Sequence, residues 1–412
     1  MRAAASPFEP VTIGPLTLRN RFIKSGANEA MCLDGRPTAA LVKHHRDLAR
    51  GGVGMTTVAY MAVAPEGRTL PNQIWMRPGI LPDLLALTSA VHDEGAAISA
   101  QITHGGSFVT GMKVKGRTIS ASSGFNPAGM LKGNLLQRAM TEADMARVTA
   151  EFVAAAELAR DAGFDAVELH MGHGYLLNQF ISPLNNKRED QYGGSAENRV
   201  RFPARVLAAV KQAVGASTAV LAKINVADGT RRGAQVEDGI VTARALQAAG
   251  ADMLVLSGGR NVESTWFMFG SRMNRQEMAR VLKQQGERLV AFAMQAAASR
   301  EPDIQFREMY FLEYSRKIRA AVDLPLGYLG GIKSLANAEQ AVAECFDCVV
   351  LARALLHDPA LVNKFHSGEV LQSGCDNCNG CVAYIYHPDG TRCVMNPPND
   401  PDLNRIPASA AE

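Results

Sequence analysis

From Arg21 to Leu351 the chain switches eight times between short β-type runs and longer helix-type stretches, and this rhythm restricts the fold more than any other feature. Such alternation predicts βα units on a parallel sheet. The expected strands are Arg21 to Ser25, Gly54 to Tyr60, Ala97 to Thr103, Ala166 to His170, Ala219 to Asn225, Met253 to Ser257, Leu326 to Leu329 and Cys348 to Leu351. Glycines at Gly95, Gly163 and Gly250 punctuate helix before strand, where a left-handed residue can end a helix. Thr141-Glu142-Ala143-Asp144 reads as a capping box with Asp in place of Glu. Eight repeats predict an α/β fold, a (β/α)8 or TIM barrel. An open doubly wound sheet is the alternative, but it would carry G-x-G-x-x-G after the first strand, and nothing after Ser25 fits. Gly258 to Pro325 is longer than one connection needs, so a lid insertion is expected at about 260–322.

The 412 residues are 47% hydrophobic and 20% charged, a mix that can bury a large core. Forty-three basic against 40 acidic residues leave a net charge of +3, which gives no sign of a basic surface built for nucleic acid or anionic lipid. Apolar runs such as Met253-Leu254-Val255-Leu256 fall far short of the ~20 residues that cross a bilayer. The N-terminus, Met1 to Phe8, lacks the apolar segment of a secretion signal, so a cytoplasmic location and a small-molecule substrate are expected. Seven cysteines argue against a disulfide framework, and four of them crowd into the tail. The expected division is a barrel over 1–365 and a Cys-rich extension over 366–412.

The richest segment runs from Asp165 to Phe180 and holds His170, His173 and Tyr175 within six positions. At the C-terminal end of a barrel strand, two imidazoles and a phenol can converge on one small ligand. A zinc pair or satisfied core histidines are the alternatives. Together with Ser182 to Arg199, this stretch resembles the signature of the old yellow enzyme family of NADH:flavin oxidoreductases. The resemblance runs from Pro10 to about Phe365 and takes in Leu18-Arg19-Asn20-Arg21, Gly330-Gly331 and Ala352-Arg353. It implies an FMN-binding (β/α)8 barrel enzyme recharged by NADH or NADPH, in a family where homo-oligomers are frequent.

The resemblance also implies roles for single residues. Gln101 would pair with the flavin pyrimidine edge, for which an amide offers both donor and acceptor. Lys223, in an otherwise apolar strand, would face the negative charge of reduced flavin. Gly330, Gly331, Ala352 and Arg353, with Ser257 and Gly258, would cradle the phosphate. Ser25 and Ala27 follow the first strand where flavin contacts are expected, but without the Cys or Thr of other members, and Tyr60 stands where a small residue is common. His170 and His173 would hold a substrate carbonyl or carboxylate oxygen, His170 also touching the flavin, and Tyr175 would protonate the α-carbon of an activated alkene. Trp266, Phe267, Phe269 and Tyr310 either line the pocket or pack on the barrel.

Cys375, Cys378, Cys381 and Cys393 form C-x2-C-x2-C-x11-C, a spacing suited to a [4Fe–4S] cluster or a tetrahedral zinc, with uncommitted thiols as the third reading. The pattern is similar to the cluster motif of the 2,4-dienoyl-CoA reductase and trimethylamine dehydrogenase branch. The sequence ends nineteen residues after Cys393, so a cluster is expected to use an external electron carrier rather than a second flavin domain. The expected activity is hydride transfer to an α,β-unsaturated carbonyl or enoate. Oxidation of an amine or alcohol through FMN and the cluster is the runner-up, and a zinc-dependent barrel lyase or hydrolase the alternative from another class.

Overall fold

The computed structural model describes residues 6–297, 302 and 304–396. Eight parallel strands close into a barrel: β1 (Phe22–Lys24), β2 (Met55–Ala62), β3 (Ala97–Thr103), β4 (Ala166–Met171), β5 (Ala219–Asn225), β6 (Met253–Ser257), β7 (Leu326–Leu329) and β8 (Cys348–Leu351). β8 pairs with β1 at Val349 opposite Phe22, which completes the ring. Five strands coincide with the sequence expectation, and the other three differ by one or two residues at their ends.

Side chains alternate in and out along each strand. Ile23, Met55, Leu221, Val255 and Val350 fill the barrel interior, while Phe22, Val58, Leu254 and Val349 belong to the larger core between strands and helices. An antiparallel hairpin, Val11–Ile13 with Leu16–Leu18, delivers Val11, Ile13 and Leu18 into the interior cluster and so plugs the barrel at one end. The helix Glu142–Asp161 shows how sequence places the outer layer. Thr141 Oγ1 accepts from the Asp144 amide at 3.2 Å, and Asp144 Oδ2 accepts from the Thr141 amide at 2.9 Å. Met145, Val148, Phe152, Ala155, Ala156 and Ala159 then recur at helical spacing and are all buried.

Two excursions build a roof over the open end. After β3, the segments Thr118–Ser120, Gly124–Phe125 and Leu136–Ala139 form a small three-stranded sheet that the sequence reading did not anticipate. After β6, the lid holds helices Thr265–Phe269, Arg275–Gln284 and Arg288–Ala297, followed by Leu312–Arg319. The cysteine tail is not a separate appendage. Its 3-10 helix Gly380–Tyr386 places Ala383 and Tyr384 in one small core with Met278, Val281, Leu282 and Ala291 of the lid. Beyond it, Thr391 donates from its amide to Glu29 O at 2.7 Å and from its hydroxyl to Asn28 O at 2.6 Å, fastening the tail over the loop after β1. Among the described residues no helix is long and apolar enough to cross a membrane.

Candidate active site

A cavity of about 940 Å3 opens under this roof at the C-terminal ends of the strands. Ser25, Ala27, Tyr60, Gln101, His170, His173, Tyr175, Lys223, Ser257, Gly331, Ala352 and Arg353 all line it. Gly258 and Gly330 do not: each packs against Phe311, which would lie 2.8 Å from an added Cβ in both cases. Of the lid aromatics, Phe269 and Tyr310 line the cavity, while Phe267 packs on Phe311 and Tyr314 with Trp266 at its edge.

One wall is an ionic cluster. Lys223 is almost fully buried, which is costly for a cation unless it is paired and hydrogen-bonded. Its Nζ lies 3.2 Å from Glu168 Oε1, 3.1 Å from Ser25 Oγ and 3.1 Å from Gly26 O. Gln101 Nε2 donates to the same carboxylate at 2.5 Å. Gly26 lies so close that a Cβ there would sit 2.6 Å from the Gln101 amide nitrogen, so glycine is what lets the loop close on this wall. Behind it, Lys24 pairs with Glu29, whose second oxygen accepts from the Ala59 amide at 3.0 Å.

The opposite group comes from the β4 end. His170 Nδ1 accepts from the Gly172 amide at 3.2 Å, which leaves Nε2 as the protonated nitrogen. His173 stands at φ 59°, its amide donating to Asn225 Oδ1 at 3.2 Å and its Nε2 2.8 Å from Ser257 Oγ. Burial pushes the His170 imidazolium well below its ordinary pKa and that of His173 down to about 3, helped by the charge of Lys223. Both rings are therefore neutral at pH 7. The Tyr175 ring lies 4.5 Å from His170 and 5.2 Å from Tyr60, centroid to centroid. Burial pushes its phenol well above the usual value, so Tyr175 keeps its proton.

Sequence reasoning missed the groups that hold these residues in place. Glu168 follows from none of the local motifs, although a carboxylate inside the apolar run Ala166-Val167-Glu168-Leu169 was the available signal. Arg260, 2% exposed, donates to Asn178 Oδ1 at 2.9 Å and to Asn185 Oδ1 at 2.5 Å. Asn178 Oδ1 also accepts from the Gly174 amide at 2.9 Å, so an arginine of the lid sets the turn that presents Tyr175.

Arg353 joins the cavity to the tail, donating to Asn379 Oδ1 at 2.6 Å and to Phe269 O at 2.9 Å. Cys375, Cys378, Cys381 and Cys393 surround one small void beside it, and Cys375 and Cys381 also face the main cavity. Among the described residues, the sets of His, Cys, Asp or Glu whose donor atoms lie within 4.8 Å of one another are Glu29, His44, His45 and Glu66, His104, Glu151. No three of the tail thiols form such a set among the described residues.

A closed parallel barrel with a polar cavity at the C-terminal ends of its strands defines a (β/α)8-barrel enzyme. The chain belongs to the NADH:flavin oxidoreductase / NADH oxidase family, which its residues 6–265 match. It is 40% identical over 401 residues to the 4,4'-dithiodibutanoate disulfide reductase of Rhodococcus erythropolis, covering 96% of each chain. It is 30% identical to the NADH oxidase of Thermoanaerobacter brockii over 95% of its own length but only 56% of that relative. The solved old yellow enzyme homologue from Zymomonas mobilis shares the fold, with a TM-score of 0.69 at 19% identity over 95% of this chain and 98% of that one. Family membership brings FMN and a nicotinamide reductant and sets aside the zinc-dependent lyase or hydrolase reading.

Proposed function

We propose that the protein is an FMN-dependent reductase of activated alkenes, α,β-unsaturated carbonyls or enoates, and the observation that carries this is the neutral Tyr175 phenol beside two neutral imidazoles in the cavity. The donor set fits the cofactor: Lys223 and Gln101 stand on the β3 to β5 side for a ring edge, and Gly331, Ala352 and Arg353 on the β7 and β8 side for a phosphate. FMN, when bound, supplies the hydride, and NADH or NADPH replenishes it. His170 Nε2–H donates to the substrate oxygen, where negative charge develops as hydride arrives. His173, held by Ser257 and Asn225, packs against His170 at 4.9 Å and narrows the orientations open to that oxygen. Tyr175 then gives its proton to the α-carbon and recovers one from solvent. The buried Lys223 charge stabilises the electron-rich form of the cofactor.

Disulfide reduction is the second reading, favoured by the 40% identity to a disulfide reductase over nearly the whole chain. It would use the same parts, with Tyr175 protonating the leaving thiolate. Oxidation of an amine or alcohol fits less well, because it gives a proton-holding phenol nothing to do. Tyr175→Phe tests the assignment. Stopped-flow reduction by NAD(P)H should be unchanged while reoxidation by a cyclic enone slows by about 10² or more. An unchanged enone rate removes Tyr175 from the role, and fast turnover of a dicarboxylate disulfide with no enone turnover favours the second reading.

The four tail thiols, we propose, hold a [4Fe–4S] cluster that exchanges electrons with an external carrier. The four thiols line one void beside Arg353, and two of them also face the flavin cavity, which is where a cluster that trades electrons with the flavin would be held. Burial pushes the Cys381 thiol up to about 12, a burden that a bound cationic centre would relieve. An anaerobic visible spectrum with iron and zinc assayed on the same sample decides between a cluster and zinc. Flavin bands over a broad shoulder with about four irons per chain support the cluster, and zinc without iron overturns it. A cytoplasmic, homo-oligomeric enzyme is proposed with it.

A further inference from the structure

A hydrogen-bond chain with no part in the chemistry above runs from the loop after β2 to the proton donor. Tyr60, on β2, has its hydroxyl 2.7 Å from Thr69 Oγ1. Thr69 Oγ1 in turn lies 3.1 Å from Gln73 Oε1. Main-chain groups fix which way the Gln73 amide faces: its oxygen accepts from the Thr69 amide at 2.7 Å, and its nitrogen donates to Tyr60 O at 3.0 Å. The far end of the chain is therefore an acceptor.

Counting protons from that end sets the direction of every bond. An amide oxygen has no proton to give, so the one proton of the Thr69 hydroxyl is committed to Gln73. Thr69 can then only accept from Tyr60, which commits the Tyr60 proton as well. Thr69 and Gln73 are buried, which keeps water from scrambling these directions. The Tyr60 ring lies 5.2 Å from the Tyr175 ring, and the two hydroxyls meet. With its own proton turned to Thr69, Tyr60 faces Tyr175 as an acceptor, and Tyr175 is the donor between the two phenols. Asn28 backs this arrangement. Its Oδ1 accepts from the Ala30 amide at 3.0 Å, which leaves its Nδ2 to meet the Tyr60 hydroxyl.

We propose that Tyr60 is the positioning residue of the proton donor: it accepts from the neutral Tyr175 phenol and, by turning its own hydroxyl from Thr69 to Tyr175, donates to the phenolate that the reaction leaves. This rests on the reading of Tyr175 as the acid that protonates the substrate α-carbon. In that step the Tyr175 O–H bond breaks, a C–H bond forms, and the electron pair stays on the Tyr175 oxygen. Burial makes such an anion costly. A hydrogen bond to an ionised oxygen is roughly twice as strong as one between neutral groups, so the turned hydroxyl stabilises the product of the step more than it stabilised the reactant. The turn is a rotation about one C–O bond. The Tyr60 O–H bond stays intact, and a solvent proton then restores Tyr175.

Tyr60→Phe keeps the ring and removes the hydroxyl. Reoxidation of the reduced holoenzyme by a cyclic enone should slow by about tenfold, with a larger solvent deuterium isotope effect, because carbon protonation becomes the slower step. Reoxidation by ferricyanide, which takes electrons and places no proton on carbon, should keep the parent rate at unchanged flavin content. In a Tyr175→Phe background the substitution should cost nothing further, since Tyr60 acts only through Tyr175. Thr69→Val, which leaves the Tyr60 proton only Tyr175 to turn to, should slow the enone reaction less than Tyr60→Phe does. Equal slowing with both acceptors, a further loss on top of Tyr175→Phe, or the reverse order of the two single variants would mark Tyr60 as a brace of the pocket wall and overturn the proposal. An enone rate unaffected by Tyr175→Phe overturns the underlying reading as well, whereas slowing in Tyr175→Phe with none in Tyr60→Phe overturns the role of Tyr60 alone.

Discussion

Lys223 and Glu168 are each buried to within a few per cent, and each is tolerable only because the other is there. Removing one partner of such a pair leaves an uncompensated charge, at a cost of about 3–5 kcal/mol. Lys223→Met should therefore lower the urea midpoint substantially in addition to weakening flavin retention, whereas Lys223→Met with Glu168→Leu should recover part of the stability and none of the flavin binding. Equilibrium unfolding with flavin content measured on the same samples separates the two effects. Residue identity was legible for His170, His173 and Tyr175 because one strand end and one loop carry all three. It was illegible for Glu168 and Arg260, whose roles exist only once the β4–β5 register and the lid bring them to their partners.

At the scale of elements, the helix Glu142–Asp161 depends on a two-way cap. Arg138, together with Thr141, holds the Asp144 carboxyl well below the usual range. A carboxylate whose folded pKa is depressed stabilises the protein above its unfolded pKa of about 4, and the contribution is lost as pH falls through the folded value. Asp144→Asn should thus destabilise most at pH 7, with the gap to the parent narrowing below about pH 4. Thr141→Ala should cost about 1 kcal/mol. Urea titrations across pH check both. The barrel strands could be read from sequence because a strand buried on both faces is nearly continuous in Val, Ile, Leu and Ala. The sheet of Thr118–Ser120, Gly124–Phe125 and Leu136–Ala139 could not, since strands of two to four residues carry no periodicity. The tail's union with the lid escaped for another reason: Ala383 and Tyr384 meet Met278 and Leu282 across about a hundred residues.

Five imidazoles of the molecule are held neutral. Burial holds His44 and His173 down to about 3, His104 to about 4, and His45 and His170 well below the ordinary value. For each, the unfolded chain takes up a proton near pH 6.5 that the folded chain refuses, so the stability is full above that pH and is lost as pH falls. Each such ring contributes a slope of about 1.4 kcal/mol per pH unit. Denaturant midpoints should accordingly drop steeply between pH 6.5 and 5, well before the carboxylates titrate, and a flat profile over that range would contradict the burial of these rings.

The roof over the cavity has a core of its own, made by Met278, Val281, Leu282, Ala291, Ala383 and Tyr384, distinct from the cores of the barrel. A unit with a separate core can come off and go back as one piece while the rest stays folded. The molecule is therefore built as a vessel and a stopper, and the stopper is cast from two distant stretches of chain. Synthesis finishes the vessel first; it can be sealed only when residues near 380 have left the ribosome and found the lid helix that has been waiting for them.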